Sequence, residues 1–209
     1  MWGIPQNKRM PRVSAREREA TRLRLIEAGK QEFAERGLAG ARFDEISLAA
    51  GHAKGTIYNY FDSKEALFFA IVNEWCSLLV DGFDPHRSDS ARDQLLQIAE
   101  LDVQIARKDP DLARVVVQQM PALTGRHNEL VSAAIGTGVD LLTAIIHHGL
   151  STGEFESGQS ARTLARLFLS SLSAIELEAL LPNASITFDE VVELLDQHFV
   201  SGLHRRSNA

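Results

Sequence analysis

Residues 43 to 61, FDEISLAAGHAKGTIYNYF, constrain the fold more than any other part of the chain. Phe43, Ile46 and Ala50 recur at helical spacing until Gly51 interrupts them, and a second short run near Lys54 to Tyr60 turns Ile57 and Phe61 to one side. Helices of about two turns do not persist alone in water, so longer neighbours must cover their apolar faces. Their length, and the glycine-bearing joint Ala50-Gly51-His52, are those of a helix-turn-helix, whose second helix enters a DNA major groove. The face left over, Lys54, Gly55, Thr56, Tyr58, Asn59 and Tyr60, contains no acid. Lysine can donate to phosphate or guanine, asparagine can pair with adenine, and the threonine methyl can meet that of thymine. Gly55 would let the backbone approach closely. The same residues would also suit a loose first turn with half-buried tyrosines, and spacing alone leaves both readings open.

The flanking sequence supplies the neighbours. Ser14 and Glu17 have capping-box spacing before a helix of about 15 to 36, with Leu25, Ile26, Gly29 and Phe33 on one face and Gly37 at its end. Asp62 or Ser63 caps the next long helix, in which Leu67, Ile71, Trp75 and Leu79 form a stripe that leaves the head and enters the body. Beyond Pro85 every apolar run has helical period. Runs are expected at about 89 to 107, from Asp109-Pro110 to a stop at Pro121, and from 127 to a stop at Gly149. Two more follow, from Ser160 to Pro182, and near 188 to 203 after a Thr187/Glu190 capping box. The expectation is an all-α fold of about nine helices: a basic arm at 1–13, a three-helix DNA-binding head at 14–62, and a helical sensor and dimerisation body at 63–209.

A net charge of −6 would argue against nucleic acid if it were evenly spread. It is not. Residues 1 to 64 hold 12 Lys and Arg against 8 Asp and Glu, a local +4, which leaves 10 against 20, a local −10, for residues 65 to 209. The asymmetry suits a head that meets a polyanion while the body stays clear, though a basic tail on an acidic protein is also common. Lys8, Arg9, Arg12 and Arg16 in and beside the arm could reach the minor groove or remain solvated.

Several classes are disfavoured. The single cysteine, Cys76, permits no internal disulfide and no cysteine-based zinc site. His147 and His148 are adjacent, about 100° apart on a helix, so no metal is expected. There is no nucleophile elbow, phosphate-binding loop or HExxH pattern, so neither an enzyme nor a cofactor is expected. No secretory h-region or membrane-length span is apparent, and a cytoplasmic location is the expectation.

Residues 21 to 72 resemble the DNA-binding head of the tetracycline-repressor (TetR) family of regulators. The resemblance rests on TRLRLIEAGKQEFAERG, on Ile46 and AAG, on KGTIYNYF, and on SKEAL at 63 to 67. It implies a homodimer that binds operator DNA through the head and a small molecule through the C-terminal domain. By motif position it implies that Lys54, Gly55, Thr56, Tyr58 and Asn59 read DNA, and that Tyr60 and Lys64 contact phosphates. Where the family often has Thr or Ser before the second helix, this chain has Ala41, Arg42 and Phe43. Arg42 could replace the phosphate contact and Asp44 the cap. His52-Ala53 stands in place of Val-Ser, and His52 could hydrogen-bond DNA or fill the turn. Glu32 replaces an apolar residue of the first helix.

The helices near 160–181 and 188–203 are candidates for a four-helix dimer interface, or for the core of a monomer. Trp75, Phe83, Met120, His147, Phe155 and Phe168 are candidates for a mainly apolar effector pocket. A ligand-released repressor is expected, with an activator or a DNA-binding protein lacking an effector as the alternatives.

Overall fold

The structure is a computed structural model that describes residues 14–124 and 128–203, the side chains of 119–132 excepted. Lys8, Arg9, Arg12 and the Met120 side chain lie outside the described residues. Helix α1 spans Ala15–Gly40, with the Ser14/Glu17 capping box closed in both directions at 3.2 and 2.8 Å. Gly37 leaves helical geometry at φ +65°, as a glycine can, and one further turn follows before the chain straightens at Ala41. Helix α2 spans Phe43–Ala49, a 3-10 turn follows at Thr56–Asn59, and α3 spans Lys64–Gly82. Ser63, not Asp62, caps α3, its Oγ accepting from the Ala66 amide at 3.1 Å. These pieces close over Leu25, Phe33, Ile46, Ile57, Phe61, Leu67 and Phe68, all buried. A Cβ on Gly29 would come within 2.8 Å of Leu67 Cδ2, so the glycine is what lets α1 and α3 approach so closely.

The body is built from α4 (Ala91–Lys108), α5 (Pro110–Thr124), α6 (Asn128–Thr152), α7 (Ala161–Ala179) and α8 (Phe188–Leu195). A π-helical turn, Asp196–Val200, carries α8 on to Leu203. Among the described residues there is no strand, and the expected helical runs are helical except that near Lys54 to Tyr60, which is only a 3-10 turn. A second core, with Leu95, Ile98, Leu142, Ile146, Phe168, Leu172 and Leu195 at its centre, joins α4, α6, α7 and α8.

Three punctuation readings are corrected. Pro121 does not end α5, which continues to Thr124. Gly149 does not end α6 either, and the chain turns only at Gly153, φ +77°. Gly149 is small for a different reason, because a Cβ there would stand 2.4 Å from the Phe155 ring and 2.9 Å from the Ala91 Cβ. Residues 133–152 are, against expectation, long and apolar enough to cross a membrane by length and composition. In this fold they form a bundle helix against α3, α4 and α7.

Candidate nucleic-acid interface and internal cavity

The turn between α2 and the 3-10 segment is held from within. Ser47, fully buried on α2, donates its hydroxyl to the Ala53 carbonyl at 2.7 Å, and the His52 amide bonds the Ser47 carbonyl at 2.9 Å. Gly51 and Gly55 take φ of +78° and +84°, a region costly for other residues, so both are set by backbone conformation. Gly55 thus turns the chain into the segment, which is a single tight turn rather than the longer helix expected from Lys54 to Tyr60. Ile57 is buried beneath it, and Phe43 packs edge-on against Tyr58 at 5.1 Å.

Lys54, Tyr58 and Asn59 are exposed and Thr56 half-buried beside them. Among the described residues, the Lys54, Thr56 and Asn59 side chains show no hydrogen-bond partner, so their polar groups are available to a ligand. Tyr60 is half-buried beneath the Arg18 guanidinium, 5.7 Å from its ring centre, and Arg22 covers Phe61 in the same way at 5.6 Å. Arg16 is exposed at the start of α1.

Three expected contacts are placed differently. The Lys64 ammonium lies over the Ala41, Ala39 and Leu38 carbonyls at 2.7, 3.3 and 3.4 Å, where it neutralises the partial negative charge at the end of α1 instead of standing free for phosphate. The His52 ring is folded inward, its Nε2 enclosed and without a partner among the described residues. Asp44 does not cap α2, whose start has no side-chain cap. Glu32, the unusual acid of α1, supplies that join: it accepts the Arg42 amide at 3.0 Å and pairs with Arg36. Arg42 itself is exposed and pairs with Glu45 at 3.1 Å.

A cavity of about 450 Å³ lies within the body, lined from α3 to α7. Trp75, Leu79, Ile98, Val116, Leu142 and Phe168 make its apolar walls, and exposed Arg166, Ser170 and Ala174 of α7 stand at its rim. Of the six expected pocket residues, it brings together Trp75 and Phe168. Phe155 is buried on the far side of α6 against Gly149 and Ala91, Phe83 packs into the second core, and His147 is exposed, so these three do not line the cavity.

Sequence reasoning missed two buried acids in the cavity wall, Asp102 and Glu176, which are 3% and 1% exposed. Trp75 Nε1 donates to Asp102 Oδ1 at 2.5 Å, while Glu176 Oε1 has no partner among the described residues. Burial pushes the Asp102 carboxyl up to about 6, against the pull of hydrogen bonds from Glu176 and Trp75. Glu176 is held well above the ordinary glutamate range by its own burial and by the neighbouring Asp102. The Cys76 thiol is pushed up to about 11, chiefly by burial, and so remains protonated. A signal was present, since Asp102 continues the Leu95, Ile98 stripe and Glu176 the Phe168, Leu172 stripe, both acids falling where helical spacing calls for an apolar residue.

The profile of bacterial regulatory proteins of the tetR family matches residues 25–71, and that of the tetracyclin repressor-like C-terminal domain matches residues 88–176. The chain belongs to the TetR family. It is 24% identical over 172 residues to the HTH-type transcriptional regulator SrpR of Pseudomonas putida, covering 82% of this chain and 80% of that one. Over 62 residues it is 42% identical to the HTH-type transcriptional repressor SCO4008 of Streptomyces coelicolor, a match to 30% of this chain and 32% of the other. The fold is similar to that of FadR from Bacillus subtilis in complex with stearoyl-CoA, with a TM-score of 0.71 at 21% identity, covering 87% of this chain and 99% of that one.

This TetR-family chain is therefore a DNA-binding transcriptional regulator, and its head is joined to its body by more than the continuity of α3. Lys30 of α1, 4% exposed, meets Glu27 at 2.6 Å, Asp109 at 2.8 Å and Glu74 of α3 at 3.6 Å. Asp109 also accepts the Leu112 amide at 3.0 Å, capping α5. Burial acts to lower the Lys30 pKa, but the hydrogen bonds to Asp109 and Glu27 outweigh it and leave the ammonium above its ordinary value. One TetR-family head is thus tied at once to α3 and to α5, two walls of the cavity.

Proposed function

We propose that this regulator is a repressor that binds a palindromic operator as a homodimer and is released by a mainly apolar small molecule. The observation that carries the reading is the acid-free set Lys54, Tyr58 and Asn59, exposed with half-buried Thr56 on a turn closed from within and joined through α3 to a mainly apolar cavity. Arg42, and Arg16 at the start of α1, add positive charge beside that set. His52 and Lys64 act from within the head, the first filling the turn and the second closing α1. Trp75 and Phe168, with Asp102 and Glu176, form the effector site. The second copy packs through α7 and α8, where Leu167 of α7 is exposed and Leu194 half-buried. Two heads then read half-sites about 34–36 Å apart, one helical turn of DNA. A protein that works on intracellular DNA belongs in the cytoplasm and needs no catalytic centre.

Selection of bound duplexes from a random DNA pool tests the reading. The expected result is a palindrome whose half-sites change preference when Lys54→Ala or Asn59→Ala is introduced. Binding that remains sequence-indifferent and only salt-sensitive would refute it.

A further inference from the structure

Among the described residues the cavity is mainly apolar, with Arg166, Ser170 and Ser173 of α7 also in its lining, and it holds one feature that apolar cargo does not require. Asp102 and Glu176 face each other in its wall, and among the described residues no basic side chain is set against them. Arg166, the basic group of the described lining, is exposed at the rim. The pair is not a structural ion pair, and it is not fully bonded either: Trp75 Nε1 satisfies Asp102 Oδ1, but Glu176 Oε1, in a side chain 1% exposed, has no partner among the described residues. A buried acceptor left in this way destabilises the empty protein and gains most from a donor that arrives with a ligand. Two adjacent buried carboxyls share a proton more readily than both ionise, so a singly charged pair is favoured over a doubly charged one. No described group compensates that charge, and a buried charge without a partner is costly.

Taking as its basis the effector-responsive reading above, we propose that the cavity binds an apolar molecule bearing a single protonated amine, whose N–H groups donate to Glu176 Oε1 and the Asp102 carboxyl. The amine cancels the charge of the pair, and Trp75, Leu79, Phe168 and Leu172 take the apolar part. A carboxylate in the same place would meet like charge. An alcohol of the same length supplies one donor and no charge.

Octylamine, octanol and octanoate test this in the full-length chain carrying Trp2→Phe, so that Trp75 is the remaining tryptophan and its fluorescence reports occupancy. Octylamine is expected to bind about tenfold or more tighter than octanol, with octanoate weakest, as charge-assisted hydrogen bonds outweigh neutral ones. In the double variant Asp102→Asn/Glu176→Gln the octylamine-to-octanol ratio should fall to about one, a ratio that cancels any general loosening of the cavity. The ranking in the parent chain stands whether or not the variant folds. Octanol binding as tightly as octylamine in the parent, or an unchanged ratio in the variant, overturns the assignment. Release of the selected operator by the same probes separates the two readings. If octanol or octanoate releases DNA and octylamine does not, the cavity is an effector site but not an amine site. If none of the three binds, both fail.

Discussion

Two buried acids in a protein core make its stability depend on pH in a direction opposite to the usual one. Asp102 moves from an ordinary 3.8 to about 6 on folding, so the folded chain favours the protonated carboxyl. Its contribution to stability is fully present below the unfolded value, near pH 4, and is lost as pH rises through about 6; Glu176 acts in the same direction. About two pH units correspond to roughly 3 kcal/mol for Asp102 alone. Replacing both by their amides, Asp102→Asn/Glu176→Gln, removes the titration and keeps the side-chain shapes. Urea unfolding followed by circular dichroism at pH 4.5, 6 and 7.5, at one fixed protein concentration, measures the effect. The free-energy difference, variant minus parent, should rise by roughly 2 kcal/mol from Asp102 across that range, with Glu176 adding in the same direction, whatever constant offset the amides introduce. All other carboxyls titrate equally in both chains and cancel. Parallel pH profiles would show that the two carboxyls are not buried against each other without a compensating charge.

Three further outcomes follow from the packing. Gly149→Ala forces a methyl into the Phe155 ring and the Ala91 Cβ and should lower stability by about 1–3 kcal/mol, read as a drop in melting temperature; an unchanged melt would mean that Phe155 moves aside freely. Lys64→Met removes the ammonium from the end of α1 and should cost about 1 kcal/mol. A variant of full stability whose DNA binding instead lost one unit of salt slope would return Lys64 to the phosphate backbone. Lys30→Met leaves three acids together without their cation and should cost about 2–4 kcal/mol in denaturant unfolding, less than for a wholly buried pair because the acids are partly exposed; a loss under 1 kcal/mol would show that the cluster is only a surface arrangement.

The fold was legible wherever a local rule and the packing agreed. Ser14, Ser63, Ser160 and Thr187 all start helices where their spacing says they should, because a cap is satisfied within three or four residues of itself. Glycine and proline were less informative, since each has more than one reason to be present. Gly37 and Gly51 do turn the chain, but Gly149 is in mid-helix because Phe155 lies on it, a contact invisible from its neighbours in sequence. In the head, the buried Ile46, Ile57 and Phe61 followed from period, whereas Tyr60, expected on the outward face, is half-buried beneath Arg18. What the period did not carry was the fate of flexible side chains: Lys64 folds back on α1, and the Glu32 carboxylate reaches the Arg42 amide ten residues on. The cavity was the least legible part. Aromatic residues in the body are nearly all candidates by type, and only tertiary packing separates Trp75 and Phe168 from Phe83 and Phe155. Asp102 and Glu176 broke the apolar stripes of their helices, a stronger signal than any aromatic.

How occupancy of the cavity would reach the turn proposed to read DNA follows from what the two walls hold. Along α3, Leu67, Phe68 and Ile71 belong to the core of the head, and Trp75, Cys76 and Leu79 to the cavity wall. From Leu67 to Trp75 is about 12 Å of continuous helix, too short to bend appreciably, so a displacement at one end is felt at the other. The opposite wall includes Val116 and Val117 of α5, and the start of α5 is fixed to the head through Asp109 and Lys30. A ligand that spreads α3 from α5 therefore acts on the head along two packed faces of α1, one that includes Gly29 against Leu67 and one that includes Lys30 against Asp109. Motion of α3 alone could be absorbed by sliding at one contact. Relative motion of both walls cannot, and the head must tilt. A ligand shifts the equilibrium only by its preference for the spread form, so a tenfold weakening of operator binding requires about 1.4 kcal/mol of such preference. Lys30→Met tests this route beyond its effect on stability: with that tie cut, effector binding to the cavity should persist while its effect on operator affinity falls, and undiminished coupling would show that the Lys30–Asp109 contact does not carry it.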